Sequence, residues 1–355
     1  MTASPRYHAQ ALTEHARALM EKLGMPGDKA QAVAEILVEA DLMGNPTHGL
    51  NLIDIYLDHI QQGHMQVQGV PDIVKKRPAV EVWDGLRLPG AWLVLRALET
   101  AAKSAASYGT GTIVIKNSHH IGSLATYLRR ASEKGLVLHL VSSAPRASSV
   151  APFGGRKGVF SPSPIGIGLP ATDHPILVDI STSITTVNMV KKLAREGKKL
   201  PGPYLLDAEG HTSDDPAIVA SATPPGTILP LGGLDTGHKG YGLALLVEGL
   251  TAGLTGQGRA QPNGLMANTV YMQVIDPEAF GGLDAFKQQM GDIAQSCRDN
   301  PPRAGFDKVR LPGDQGLARA ASYAEQGIPL APGIVASLVK WSAQLDVPMP
   351  QPIGA

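Results

Sequence analysis

The chain has 355 residues, 43% hydrophobic and 17% charged, a balance that fits a sizeable packed core and excludes a disordered chain. Its 31 basic and 31 acidic residues cancel to a formal charge of +0, which argues against nucleic acid or an anionic membrane as partner. No apolar run reaches the roughly 18 residues of a membrane span, and the single cysteine, Cys297, excludes an intramolecular disulfide and a multi-cysteine zinc site. The opening Met1 to Arg6 lacks the basic head and greasy core of a signal peptide, so a cytoplasmic location is expected.

Apolar residues recur at helical spacing from Tyr7 to Leu23, where Gly24 stops them, and again from Asp28 to Met43. Gly44-Asn45-Pro46 breaks the second helix, and Thr47 is placed to cap a third that runs through Leu52, Ile53, Tyr56, Leu57 and Ile60 to Gly63. Strands then begin to alternate with helices. A strand at Val80 to Trp83 precedes a helix from Ala91 to Ser107, a strand from Thr112 to Ile115, a helix from Ser123 to Glu133 and a strand from Leu136 to Ser142. The Pro- and Gly-rich stretch from Ala144 to Pro175 reads as a loop system. After it come a strand from Ile176 to Asp179, a helix from Thr182 to Glu196, loops from Leu200 to Pro230 and a glycine-flanked helix from Gly240 to Leu254. A strand from Val270 to Ile275 and helices from Asp284 to Asp299 and Pro332 to Ala343 finish the chain. This alternation predicts an α/β fold with a helical opening.

No Gly-rich dinucleotide turn is present between a first strand and helix. Gly109-x-Gly111 precedes its strand, Gly166-x-Gly168 runs into Pro170, and Gly240-x-Gly242 lacks a preceding strand. Three polar clusters carry chemistry instead. Asn45-Pro46-Thr47-His48-Gly49 sets an imidazole at the mouth of a helix, suited to proton transfer, with a capping or packing histidine as the plainer reading. Asn117-Ser118-His119-His120-Ile121-Gly122 follows a strand directly, where ligands of open α/β sheets sit; a polar loop is its plainer reading. In the third, Asp179 ends a strand and the hydroxyls Ser181-Thr182-Ser183 open a helix, while Gly237-His238-Lys239-Gly240 sets a cation just before another helix, suited to a phosphate oxygen.

In this order, with Ala151-Pro152-Phe153-Gly154-Gly155, Ser161-Pro162-Ser163-Pro164, Leu229-Pro230-Leu231-Gly232-Gly233 and Leu311-Pro312-Gly313, these segments resemble the malate/L-lactate dehydrogenase family of the second type. The resemblance covers nearly the whole chain. It implies an oxidoreductase that uses NAD or NADP on a small 2-oxo or 2-hydroxy carboxylate, as a homodimer and without a metal. The implied fold is a non-Rossmann α/β nicotinamide-binding domain with a mixed sheet, over residues 79–300. Residues 1–78 and 301–355 form a mainly helical substrate lobe in this reading. His48, His120 and Asp179 match the family's candidate acid/base groups, and the choice of proton donor among them stays open. The cofactor would meet His120, Ser142, Val178, Asp179, Ile180, Ser181, His238, Lys239, Gly240, Gly313 and Asp314; the substrate would meet Thr47, His48, Leu52 and Arg146.

Two departures matter. Leu52 stands where members commonly carry an arginine for the substrate carboxylate, so another cation such as Arg146, Arg156 or Lys157 takes that task or the substrate is shaped differently. Ser161-Pro162-Ser163-Pro164 replaces the usual Gly-Thr-Asn-Pro. An apolar residue at 52 suits a cyclic imino acid, which makes a pyrroline or piperideine carboxylate reductase the alternative. A metal-dependent hydrolase built on His48, His119, His120 and Asp179 is the reading from another class, weakened by the absence of an H-E-x-x-H spacing.

Overall fold

The computed structural model describes residues 4–260 and 267–354; Met1 to Ala3 of the opening segment lie outside them. The chain opens with β1 (Arg6–Tyr7), α1 (Ala9–Lys22), α2 (Gly27–Leu42) and α3 (Ile53–Gln61). Their apolar stripes, including Leu12, Leu19, Ile36, Leu37, Ile53 and Leu57, are buried in one cluster. The third helix starts later than its spacing predicts. Pro46–His48 and Leu50–Leu52 form two short 3₁₀ turns, and Thr47 makes no side-chain cap. Proline lacks the N–H that a continuous α-helix would need and its neighbours tighten instead.

Then follow β2 (Asp72–Arg77), β3 (Val80–Asp84), α4 (Gly90–Tyr108), β4 (Thr110–Ser118), α5 (Leu124–Ser132) and β5 (Val137–Ser143). The expected loop system after Ala144 contains a strand, β6 (Pro164–Leu169), and β7 (Ile176–Ser181) returns antiparallel beside it. The two glycines hid β6. Gly166 and Gly168 leave room for α5: a Cβ at Gly168 would lie 2.8 Å from the Leu128 carbonyl, and one at Gly166 3.1 Å from a Leu128 methyl. Gly109, at φ 78°, is the left-handed cap that turns α4 into β4. Neither glycine pair is a phosphate turn.

The hydroxyl cluster after Asp179 does not open a helix, contrary to expectation. Ser183 bridges Pro230 in extended form, and Thr186 caps α6 (Val187–Arg195) by accepting from the Met189 N–H at 3.3 Å. The region read as loops holds β8 (Leu205–Leu206), β9 (Thr212–Ser213), α7 (Ala217–Ala220) and β10 (Thr227–Ile228), with β8 central in a three-stranded sheet. Next, α8 (Gly233–Glu248) begins seven residues before the position expected, so Gly237 to Gly240 lie inside it rather than ahead of it. Gly232 and Gly233 take positive φ there and obscure the start. A π-helical turn, Gly249–Gly253, continues it. The chain closes with β11 (Asn268–Ile275), α9 (Leu283–Arg298), α10 (Asp314–Gln326), β12 (Ile328–Pro329) and α11 (Pro332–Leu345). The sequence reading omits α10.

The main sheet has seven strands in the order β2-β3-β4-β11-β5-β6-β7, and only β3 with β4 run parallel. A mixed α/β fold is therefore present, and its sheet is far from the all-parallel pattern of doubly wound folds. The chain ends meet where β1 pairs with β12, and α11 packs on α1 and α3. One apolar cluster joins these helices to a face of the sheet; a second lies among Val150, Phe160, Val190, Leu205, Ile228 and Ala244. No helix among the described residues is long and apolar enough to cross a membrane.

Candidate active site

Strand direction brings the clusters that follow β4 and β7 to one edge of the sheet. Ser118 at the end of β4 pairs with Asn268, Ser143 at the end of β5 pairs with Thr269, and Ser181 at the end of β7 pairs with Pro164. The carboxyl ends of β4, β5 and β7 thus open on the same side, the usual place for a ligand in an α/β layer. A cavity of about 540 Å³ opens at the opposite edge, walled by Val137, Leu169, Ile275, Phe280, Phe286 and Met290. Among the described residues no titratable group lines it.

The 3₁₀ turn from the helical lobe meets the loop between β4 and α5 at this edge. Asn45 Nδ2 donates to Ser123 Oγ at 3.2 Å, tying the two segments. His48 and His120 lie face to face, their ring centroids 5.8 Å apart and their planes 15° from parallel. Beneath the turn, the buried Asp41 carboxylate accepts the Leu50 N–H at 2.8 Å. A Cβ at Gly49 would lie 2.3 Å from that carboxylate, so only glycine fits. Thr47 Oγ1 sits 3.1 Å from His48 Nδ1. Tyr56 reaches in from α3, its hydroxyl 2.7 Å from His120 Nδ1. The adjacent His119 turns the other way, with Nε2 2.9 Å from His59 Nδ1.

Asp179 comes from β7 and accepts the Ala125 N–H at 3.0 Å, at the first turn of α5. This fixes it against the helix that continues the His120 loop.

The electrostatics separate the three groups. Desolvation lowers His120 to about 3, with repulsion from His48 adding to it. Desolvation also lowers His48. Asp179 is crowded by protein yet keeps solvent-exposed surface; desolvation pushes it up to about 6 and the Ala125 N–H pulls it back. Because one side stays open, the crowding acts in full only when a ligand covers that side. Asp179 thus moves toward neutrality, while His120 moves far below it.

Around this centre, the strand end from Val178 to Ser181 is pinned. Ser181 Oγ donates to the Pro162 carbonyl at 2.9 Å, and the Leu231 N–H donates to the Thr182 carbonyl at 2.9 Å. The latter bond leads directly into α8, whose early turns expose His238 and Lys239, with Gly240 buried against Leu231. Ile180, Leu231, Leu234 and Phe153 leave apolar surface open nearby. Gly313 lies against Leu177, two residues before Asp179. Asp314 is turned aside, its carboxylate holding His174 Nε2 at 2.8 Å and Arg298 at 3.1 Å. Ser142 is buried and donates to the Thr269 carbonyl at 3.2 Å. Leu52 is half-buried against the main core.

Arg146 is exposed on a loop that Arg259 holds by donating to the Pro145 and Ala147 carbonyls at 3.2 and 2.6 Å. Arg259 is itself paired with Glu248 at 2.8 Å. Arg156 is spent on the Ala208 and Glu209 carbonyls at 3.0 and 3.3 Å. His119 and His120 face different partners, and among the described residues no three His, Cys, Asp or Glu side chains converge as a metal site. Sequence reasoning missed Asp41, Arg259 and the hydroxyl of Tyr56. Only Tyr56 left a signal, as the one polar tip on the apolar stripe of α3.

A family model described as malate/L-lactate dehydrogenase matches residues 7–339. The chain belongs to the malate/L-lactate dehydrogenase family. It is 30% identical over 342 residues to an L-lactate dehydrogenase of Cupriavidus necator, covering 94% of this chain and 96% of that one. A malate dehydrogenase structure from Entamoeba histolytica superposes with TM-score 0.91 at 25% identity, covering 98% of this chain and 100% of that one. A delta1-piperideine-2-carboxylate reductase from Pseudomonas syringae superposes with TM-score 0.81 at 26% identity, covering 95% and 99%. This member of the malate/L-lactate dehydrogenase family is therefore an oxidoreductase, among relatives named as dehydrogenases of 2-hydroxy acids.

Proposed function

We propose that this enzyme moves a hydride between NAD(P) and a small 2-oxo or 2-hydroxy carboxylate at the edge where His48, His120 and Asp179 meet. The observation that carries the reading is the stacked His48–His120 pair, two histidines from distant segments brought within 5.8 Å, with Asp179 bonded to the first turn of the helix that follows the His120 loop. Groups of shifted proton affinity gathered at the carboxyl ends of strands suit proton transfer to an alcohol or carbonyl oxygen.

The nucleotide fits the chain's own surfaces. Lys239 offers a cationic donor and His238 a ring N–H for phosphate on the early turns of α8, and the exposed apolar surface at Ile180 and Phe153 offers a wall for a planar ring. Val178, Ser181, Ser142 and Gly240 frame that stretch, and Gly313 covers its flank, whereas Asp314 serves through its bond to Arg298. When bound, the nicotinamide supplies or takes the hydride. Asp179 holds the proton that the substrate oxygen receives. His48 and His120, neutral near pH 7, orient that oxygen by hydrogen bonds. Residues 79–300 form the non-Rossmann cofactor domain in this reading, and residues 1–78 and 301–355 the substrate lobe. A homodimer covers the open face of α8.

Leu52 favours a second reading of the substrate, since it offers the carboxylate no charged partner and offers a ring an apolar surface. A cyclic imino acid is that second substrate class, with Arg146 as the carboxylate's cation in either case. The test is a fluorescence titration with NADH and NADPH, followed by a panel of 2-oxo acids and cyclic imines watched at the nicotinamide absorbance. Saturable binding of one nucleotide and turnover of a panel member is the expected outcome. Binding of neither nucleotide overturns the reading.

A further inference from the structure

His120 has two ring nitrogens, and its chemistry depends on which one carries the proton. Nδ1 lies 3.3 Å from the Gly122 backbone N–H, a group that can only donate. Nδ1 is therefore a lone pair. The Tyr56 hydroxyl, 2.7 Å from the same nitrogen, must then be a donor as well, and its other acceptor within reach, the His120 carbonyl, is farther at 3.5 Å. Burial raises the Tyr56 phenol, which keeps it protonated and donating. The His119 ring packs edge-on against the Tyr56 ring at 5.2 Å and His48 stacks on His120 at 5.8 Å.

We propose that Tyr56 is a positioning residue, whose O–H locks His120 as the tautomer with its proton on Nε2, so that His120 meets the substrate as a neutral hydrogen-bond donor. The bond reaches across 64 positions of sequence, from α3 to the loop after β4. It makes the tautomer a property of how the helical lobe seats on the sheet. A neutral imidazole with Nε2–H can polarise a carbonyl oxygen, but it does not release a proton near pH 7. His120 is then the orienting group and the transferred proton belongs elsewhere, which separates roles that the family resemblance leaves open. This inference rests on His120 lying in the active site, but the tautomer itself is a property of the protein alone.

The test is long-range nitrogen–proton NMR on full-length protein with labelled histidine, for the wild type and Tyr56→Phe. Wild-type His120 should show a protonated Nε2 and an unprotonated, hydrogen-bonded Nδ1 from pH 5 to 8. In Tyr56→Phe, Nδ1 keeps only the longer Gly122 contact, so the tautomers should mix or a protonation midpoint should rise into that range. Turnover should fall by up to about 100-fold with KM little changed, the size of effect that misorientation produces. A wild-type His120 protonated on Nδ1 overturns the proposal even if the variant fails to fold. A folded variant with the wild-type tautomer and pH profile overturns it too, and leaves Tyr56 a packing residue. Because the spectra need no cofactor, a locked tautomer in a protein that binds neither nucleotide would sink the proposed nicotinamide reading and spare this one.

Discussion

A carboxyl and an imidazole both serve as acids, but the same crowding pushes them in opposite directions. Removing water disfavours the charged form, which raises Asp179 toward 6 and lowers His120 toward 3. A protonated carboxyl is thus available just below neutrality, when a protonated His120 is not. In the reductive direction the acid must carry its proton, so turnover should be highest below pH 6 and fall about tenfold per unit above it. In the oxidative direction the carboxylate is the base, and the profile should rise through the same midpoint. Asp179→Asn keeps an oxygen for the Ala125 N–H but has no proton to give. Its turnover should fall by about 10²- to 10⁴-fold, with nucleotide affinity close to that of the wild type. Steady-state kinetics from pH 5 to 9 decide the matter; turnover within a few-fold of wild type would pass the acid role to His48.

Elements are placed here by residues too small to show a pattern. The alternation of apolar and polar positions that announces a strand is missing from Pro164 to Leu169, because Pro164, Gly166 and Gly168 take the alternate positions. The same glycines let α5 lie close on β6, and α5 is the helix whose first turn holds Asp179. Structure and chemistry therefore compete for one segment, and the packing signal erases the strand signal. Gly168→Ala tests this. The added methyl would sit 2.8 Å from the Leu128 carbonyl and 2.6 Å from Ser132 Oγ, too near for α5 to stay in place. Forcing a methyl into such a contact costs about 1–3 kcal/mol. An unfolding free energy from urea denaturation lowered by that amount, with turnover reduced as Asp179 shifts, is the expected pair of results. A variant with wild-type stability would mean that α5 moves freely, and that Asp179 is not held by its seat on β6.

At the scale of the molecule, what the sequence displayed were the long amphipathic helices, the apolar strands and the polar clusters at their ends, because each is a local pattern. Thus α1, α2, α4 and α5 fall within a residue or two of their spacing, and the clusters after β4 and β7 sit at one sheet edge as strand-end logic requires. Partners distant in sequence left no mark. Nothing near Tyr56 announces a hydroxyl aimed at His120, and nothing near Asp314 announces Arg298. The helix α8 lies between these cases. Its apolar residues were visible, but which side faces out was not. Leu234, Leu245 and Leu246 are each about half exposed, and nothing lies within 4 Å of where a Cβ at Gly242 or Gly249 would stand.

In the proposed homodimer this apolar, small-residue face of α8 is the contact between copies. It continues the helix that carries His238 and Lys239, so a second copy seated there would also frame the proposed cofactor surface. Sedimentation equilibrium should give twice the chain mass, and Leu245→Asp with Leu246→Asp should release monomers, since a carboxylate at a closed apolar contact is left without water or partner. Nucleotide affinity should weaken in that variant if the second copy steadies α8. Monomers that bind the nucleotide as the wild type does would confine the strip to assembly, and a wild-type monomer would leave the apolar face of α8 for another partner.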